Sequence, residues 1–376
     1  MKRIAVLGLT GSIGLSVVEV VRRHSDLFHI SFATTHNNYE LLSSLAAELK
    51  IDKTAITGNN YPPETGKRGD SFYHGQSEVL SILASEEFDL VINAISGSAG
   101  LIYSHHILSH NHILALANKE SLVMAGHLFQ DKIKQKRIIP IDSEHSALFQ
   151  LFSGLSVKEV RKVVLTASGG PFRELPLQEF TRITPEQALQ HPTWSMGSKI
   201  SIDSATMFNK GLEIIEAHWL FQLPYERISA VIHPQSIIHS LVECSDGSIL
   251  AQLSNPTMQL PILYALSYPH HIESDLVNTR LIDLPSLTFS PIDPERYPLC
   301  ELSRIAGKAG GIMPTVLNAA NEAAVKLFLD RKISYLAIRQ LVEDRLNKQE
   351  NIVNPDLETV LQINDNIFQE IVSDHE

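Results

Sequence analysis

The chain has 376 residues, 44% of them apolar and 19% charged, which is enough for two or three domains and too apolar for wholesale disorder. Its 31 basic and 42 acidic residues give a net charge of −11, and a surface that acidic disfavours nucleic acid and anionic membrane as partners. The two cysteines, Cys244 and Cys300, have no metal-ligand spacing, which excludes a disulfide framework and predicts reduced thiols in a cytoplasmic protein.

Lys2-Arg3 and the uncharged stretch that follows imitate a signal peptide, but Gly8, Gly11 and Gly14 interrupt the apolar run and no small-residue cleavage site follows. No run reaches the roughly 18 apolar residues of a membrane span. Taken in order, Arg3–Gly8 reads as a buried strand, Ile13–His24 as a helix, Ile30–Thr34 as a strand and Tyr39–Leu49 as a helix. The polar stretch Asn60–Asp70 reads as a surface loop. Thr54–Thr57, Leu90–Ala94, His112–Ala115 and Arg137–Ile141 extend the strand series. Strands alternating with helices predict an N-terminal Rossmann-like, doubly wound parallel sheet over residues 1–150.

Beyond Gln150 the alternation loosens. Lys162–Thr166, Ile228–Ile232, Ser240–Glu243 and Ser248–Leu253 read as strands around one strong helix, Ser204–Leu220, so 151–284 is expected to be a central α+β domain. The prolines at 285, 291, 294 and 298 mark 285–300 as a linker. Val325–Leu329, Ser334–Asn347 and Leu357–Val372 predict a C-terminal helical domain over 301–376.

The first strand runs into Gly8-Leu9-Thr10-Gly11-Ser12-Ile13-Gly14 and a helix follows at once. Glycines there permit a tight turn and close approach of backbone to a diphosphate at the positive end of the helix, which points to a dinucleotide. The second strand ends in Thr34-Thr35-His36-Asn37-Asn38, with no carboxylate before Glu40. That favours NADP over NAD, because an acid would repel the extra phosphate.

Three further elements carry chemistry. Asp142-Ser143-Glu144 ends a strand, and acids at i and i+2 on extended chain can share a hard cation, although Ser143 could equally cap a helix over 145–152. On the 204–220 helix, Asn209, Lys210 and Glu213 project from neighbouring positions, either as a solvated face or as an amide, an ammonium and a third carboxylate for phosphate and metal. Ser168-Gly169-Gly170 follows a strand and is either a simple turn or an anion nest. Between them, the loop His191-Pro192-Thr193-Trp194-Ser195-Met196-Gly197-Ser198-Lys199 carries large apolar side chains, either as a lid that closes over a substrate or with Trp194 packed permanently beneath the loop.

Together these stretches resemble the 1-deoxy-D-xylulose 5-phosphate reductoisomerase family over essentially the whole chain. The most specific are Gly8–Gly14, Ala117-Asn118-Lys119-Glu120-Ser121, Asp142–His145, Ala167–Phe172 and His191–Phe221, with Met313-Pro314-Thr315 and Asn318–Glu322 in the helical region. The resemblance implies an NADPH- and Mg²⁺- or Mn²⁺-dependent oxidoreductase of non-mevalonate isoprenoid biosynthesis, active as a homodimer. Its reaction rearranges 1-deoxy-D-xylulose 5-phosphate to a branched aldehyde and reduces this to 2-C-methyl-D-erythritol 4-phosphate. It further implies NADPH contacts from Thr10, Gly11, Ser12, Ile13, Asn38, Asn118, Glu120 and Gly197, and metal ligation by Asp142, Glu144 and Glu213. Ser168, Ser204, Asn209 and Lys210 would hold the substrate phosphate. Lys119, Ser143 and Glu144 would face the reacting carbons, and His191, Trp194 and Met196 would belong to the closing loop. Of these, Lys119, Glu144, His191 and Glu213 are the expected catalytic groups.

The chain departs from the family at Leu9, at His36-Asn37 and at Thr193, where the family usually has Ser, a Gly followed by a basic residue, and Asn. The missing basic residue predicts a weaker preference for NADPH. An oxidoreductase without rearrangement is disfavoured by the three acids, and a dinucleotide-sensing protein by the lid and Lys119-Glu120. The histidines at 105, 106, 110 and 112 lack a nearby carboxylate and are not expected to bind metal.

Overall fold

The computed structural model describes residues 1–59, 72–194 and 196–375. The expected surface loop at 60–70 and Ser195 of the Trp-Met loop lie outside the described residues. By internal contact the chain forms two units: 1–118, 131–146 and 257–278 make the first, and 119–130, 147–256 and 279–376 the second.

The first unit is built on seven strands, β1 (Lys2–Leu7), β2 (Phe28–Thr35), β3 (Lys53–Ile56), β4 (Phe72–His74), β5 (Leu90–Asn93), β6 (Leu114–Leu116) and β7 (Ile138–Pro140). They lie in the order β4-β3-β2-β1-β5-β6-β7 and every pair is parallel. Ile4 to Leu7 and Leu90 to Asn93 are buried without alternation, as strands covered on both faces must be. The chain works outward from β1 to β4 and then resumes at β5 on the other side of β1. The crevice at the C-terminal ends of β1 and β5 is therefore the switch point where such sheets take ligands.

The unit is completed by residues far along the chain. The helix Gln259–Ser267 packs on the helix Ser12–Arg23. Lys2 Nζ donates to Leu266 O at 2.8 Å, His24 Nε2 lies 3.0 Å from Ser274 Oγ, and Arg23 pairs with Asp275.

The second unit contains β8 (Val160–Ala167), β9 (Ile228–Ile232), β10 (Ile238–Cys244), β11 (Ile249–Leu253) and β12 (Ser290–Pro291), in the order β11-β10-β8-β9-β12. Only β8 and β9 run parallel among these pairs, so this is the mixed α+β sheet expected. Val163, Leu165, Ile228, Ile232 and Val242 are buried, while Ile249 and Phe289 remain 58% and 48% exposed. Those two, with Val164, Val231 and Leu241, line an open depression of about 620 Å³.

The long helix expected over 204–220 is two helices, Ser198–Ala205 and Phe208–Phe221. Met207 sits in the left-handed region at φ 58°, and the Thr206 hydroxyl accepts the Phe208 N–H at 3.4 Å. A side-chain acceptor thus replaces the helical carbonyl and restarts the helix in a new direction. The second helix is buried all round, including Lys210, Glu213 and Glu216, rather than along one apolar stripe. The C-terminal part is helical as expected, with Pro298–Ala309, Met313–Leu329, Tyr335–Lys348 and Leu357–Ser373. Ser334 and Asp356 cap the last two by accepting the N–H groups of Ala337 and Thr359. No helix among the described residues is long and apolar enough to cross a membrane.

Candidate active site

In the first unit, the Gly8–Gly14 loop lies at the switch point. Leu9 N–H donates to Thr34 O at 2.9 Å and the Thr10 and Thr35 hydroxyls are 2.6 Å apart, which anchors the loop to β2. Gly11 precedes the helix Ser12–Arg23, and no side chain caps that end. The first-turn N–H groups of Ser12 and Ile13 thus face outward at the positive end of the dipole, as anion binding requires. A Cβ on Gly14 would stand 2.3 Å from Leu9 O and 2.4 Å from Gly8 O, so the helix is packed onto its own loop. Asn38 caps the next helix through Leu41 N–H. Asn118 donates to Ile95 O at 2.8 Å and Gly97 O at 2.7 Å and thereby shapes the turn after β5.

Asp142 follows β7, and the helix begins at Ser143, two residues earlier than expected. Asp142 and Glu144 are therefore not alternate positions on extended chain: Asp142 precedes the first turn and Glu144 is within it. Ser143 Oγ donates to Glu144. His145, fully buried, places Nδ1 3.6 Å from Asp142 Oδ1.

The second unit holds a dense polar cluster. Glu213 is 1% exposed and accepts from Lys210 Nζ and Asn209 Nδ2. Lys119 Nζ lies 3.6 Å from Glu213 Oε1 and donates to Asn209 Oδ1 at 2.7 Å. Lys119, on the short helix Lys119–Ala125, is thus carried to residues 90 positions away in the chain. Two buried ammoniums around one carboxylate form a site suited to an anionic, oxygen-rich ligand.

The Ser168 turn stands beside the helix Ser198–Ala205. Gly170 has φ 67°, and a Cβ there would meet Ser204 O at 2.8 Å, so only glycine permits the turn and the close approach together. Gly170 N–H donates to Ser168 Oγ at 3.2 Å, which commits that amide within the turn rather than to an anion. His191 Nε2 lies 2.9 Å from the same hydroxyl, and its Nδ1 accepts from Thr193 N–H at 3.2 Å and Trp194 N–H at 2.9 Å. An Nδ1 that accepts fixes the proton on Nε2, which then donates to Ser168 and leaves the serine's own hydrogen to donate to a ligand. Burial and the Arg173 charge hold His191 down at about 4. Trp194 and Met196 are half-buried, and Gly197 is exposed.

Lys199, Asp203, Asn321 and His145 carry no role in the sequence reading, although each lies within a stretch singled out there. Lys199 joins Glu120 and Asp203 at 2.8 and 3.0 Å. Its place at the end of the Trp-Met loop was the available signal. The histidines at 106 and 112 each place Nε2 2.8 Å from a backbone carbonyl oxygen, of Leu80 and Leu83.

A doubly wound parallel sheet, joined in one chain to an α+β unit with buried lysines and carboxylate, defines a dinucleotide-dependent oxidoreductase. Three family models match: 1-deoxy-D-xylulose 5-phosphate reductoisomerase over 4–126, its C-terminal domain over 138–221, and the DXP reductoisomerase C-terminal domain over 253–369. The 1-deoxy-D-xylulose 5-phosphate reductoisomerase of Chlorobium chlorochromatii (strain CaD3) is 45% identical over 373 residues, covering 96% of this chain and 97% of its own length. That of Listeria monocytogenes serovar 1/2a is 42% identical, with 96% and 97% covered. The Zymomonas mobilis enzyme in complex with NADPH superposes with a TM-score of 0.89 at 38% identity, covering 100% of this chain and 99% of that one. A DOX-P reductoisomerase in complex with NADPH, fosmidomycin and magnesium gives 0.90 at 35%, with 99% and 98% covered. The chain belongs to the 1-deoxy-D-xylulose 5-phosphate reductoisomerase family.

Proposed function

We propose that this protein converts 1-deoxy-D-xylulose 5-phosphate to 2-C-methyl-D-erythritol 4-phosphate, using NADPH and a divalent cation, in isoprenoid precursor synthesis in the cytoplasm. The observation that carries this reading is the Lys119–Asn209–Lys210–Glu213 cluster on a chain similar to the family over its full length.

The residues suit both groups. The uncapped helix end after Gly11 offers backbone N–H groups for a diphosphate, and the carboxylate-free end of β2 suits a 2′-phosphate. The contacts are assigned to Thr10, Gly11, Ser12, Ile13, Asn38, Asn118, Glu120 and Gly197, with residues 1–150 as the nucleotide-binding part. Asp142, Glu144 and Glu213 are all-oxygen donors, the set a hard cation such as Mg²⁺ or Mn²⁺ prefers. When bound, the cation polarises the substrate's ketone and hydroxyl oxygens and NADPH supplies the hydride.

The protein's own groups orient and enclose the substrate. Ser168, Ser204, Asn209 and Lys210 grip the phosphate, which anchors the substrate away from the reacting carbons. Lys119 and Ser143 face those carbons, where a buried ammonium stabilises developing negative charge on oxygen. His191, held neutral, orients the Ser168 hydroxyl, while Trp194 and Met196 exclude water from the aldehyde before reduction. We further assign the open face of the five-stranded sheet, with exposed Ile249 and Phe289, to a homodimer interface, because such a face needs a cover.

The test is NADPH consumption with 1-deoxy-D-xylulose 5-phosphate, with Mg²⁺, with chelator, and with Mg²⁺ restored. Turnover that vanishes on chelation and returns with Mg²⁺ supports the reading. Absence of turnover under all conditions, or turnover indifferent to the cation, overturns it.

A further inference from the structure

Lys199 sits at the centre of a polar cluster that spans three helices of the second unit. Its Nζ lies 2.8 Å from Glu120 Oε1, 3.0 Å from Asp203 Oδ2 and 4.0 Å from Glu322 Oε1. Glu120 belongs to the helix Lys119–Ala125, Asp203 to Ser198–Ala205 and Glu322 to Met313–Leu329. Asp203 is fixed from its other oxygen by Asn321 Nδ2 at 2.7 Å, and Glu322 accepts from Asn318 Nδ2 at 3.2 Å. Thr315 Oγ1 donates to Met124 O at 3.2 Å, so the helix 313–329 also holds the far end of the Lys119 helix.

The surroundings make this ammonium hard to replace. Glu120 and Asp203 are 6% and 1% exposed, and Asn321 is fully buried. Burial works against the Lys199 charge, but Asp203, Glu120 and Glu322 outweigh it and keep the group protonated far above the ordinary lysine range. Burial likewise works to raise Glu120, yet the charge and hydrogen bond of Lys199 hold it below the usual carboxylate range. Glu120 is the neighbour of Lys119 in a seven-residue helix. A displacement of one side chain's anchor is therefore a displacement of the other.

We propose that Lys199 is a positioning residue. It clamps Glu120 to the Asp203–Asn321 anchor on the C-terminal helices and so sets the direction in which Lys119 points. The inference rests on the reading of Lys119 as a group facing the reacting carbons. Loss of the clamp leaves Glu120 and Asp203 without their shared cation; burial already raises Asp203, so the pair takes up a proton, and Glu120 loses the ion pair that directs the short helix. The chemical step then suffers more than substrate phosphate binding, which Ser168 and Lys210 still supply from outside the clamp.

The experiment compares the full-length protein with Lys199→Met and Lys199→Arg, reading kcat and KM for 1-deoxy-D-xylulose 5-phosphate at saturating NADPH and Mg²⁺, together with the fraction folded. A misaligned catalytic group predicts a fall in kcat of about 100-fold for Lys199→Met, with KM changed by less than about threefold. Lys199→Arg, which keeps the charge, regains at least about tenfold of that loss. A kcat for Lys199→Met that matches wild type per folded molecule, or a loss confined to KM, overturns the inference. Should Lys199→Met not fold, Asn321→Ala replaces it: loosening the anchor lowers kcat by about tenfold at constant KM, and an unchanged kcat there also overturns the inference. A wild-type protein without turnover sinks the reaction assignment instead, and this inference with it.

Discussion

His191 Nε2 lies 2.9 Å from Ser168 Oγ while the Nδ1 of the same ring accepts the Trp194 N–H at 2.9 Å. The imidazole therefore joins the turn assigned to phosphate and the loop assigned to closure, and it can do both only while neutral.

That neutrality has a pH signature. Burial and Arg173 place His191 at about 4, against an ordinary 6.5. Between those values the unfolded chain binds a proton that the folded one does not, so this residue makes stability rise with pH from about 4 to 6.5. NMR titration of the His191 ring is expected to show a midpoint near 4 in the free protein and a higher one with substrate phosphate bound, since a nearby anion favours the imidazolium. A midpoint at the ordinary value in the free protein would contradict the arrangement described.

Glu213 is the second test. With Lys119 and Lys210 at its oxygens and 1% exposure, replacement by Gln leaves two buried ammoniums without their carboxylate. The expected cost is about 3 kcal/mol of stability in denaturant unfolding. Turnover should fall at least about 100-fold, and added Mg²⁺ should not rescue it. Wild-type rates in Glu213→Gln would remove this residue from the reaction.

Much of this architecture was legible because local rules and tertiary packing agree. The helix Tyr39–Leu49 and strand Ile228–Ile232 fall where pattern placed them, since each has an apolar face bounded by turn formers. The break at Met207 was hidden because the apolar stripe from Ala205 through Phe208 to Ile215 keeps helical spacing across it. The break itself is a left-handed residue, Met207 at φ 58°, beside the Thr206 hydroxyl that accepts the Phe208 N–H. The meeting of Lys119 with Asn209 and Glu213 had no local signal either. Ion pairs between distant segments follow from how sheets and helices pack, and nothing in Ala117–Ser121 records which acid its lysine will face.

Gly14→Ala tests the nucleotide loop. The added methyl would stand 2.3 Å from Leu9 O and 2.4 Å from Gly8 O. Both are backbone atoms, so the helix must move off its loop. A stability loss of about 1–3 kcal/mol is expected, with NADPH affinity, followed by fluorescence quenching, falling at the same time. Unchanged NADPH affinity would place the cofactor elsewhere.

Ile249→Glu tests the open sheet face. Ile249 is 58% exposed in the single chain, so a glutamate costs the lone subunit little, whereas in a dimer it would be buried without a partner. Light scattering is expected to give a dimer for wild type and a monomer for the variant. A variant that stays dimeric moves the interface to another surface.

Residues 257–278 close the first unit through Leu266, Ser274 and Asp275. During synthesis, the seven parallel strands leave the ribosome well before the segment that seals them. The nascent nucleotide-binding sheet must therefore wait, with the flank of its first helix bare, until the strands β8 to β11 have also emerged. Until then Lys2, Arg23 and His24 lack the partners that Leu266, Asp275 and Ser274 later supply.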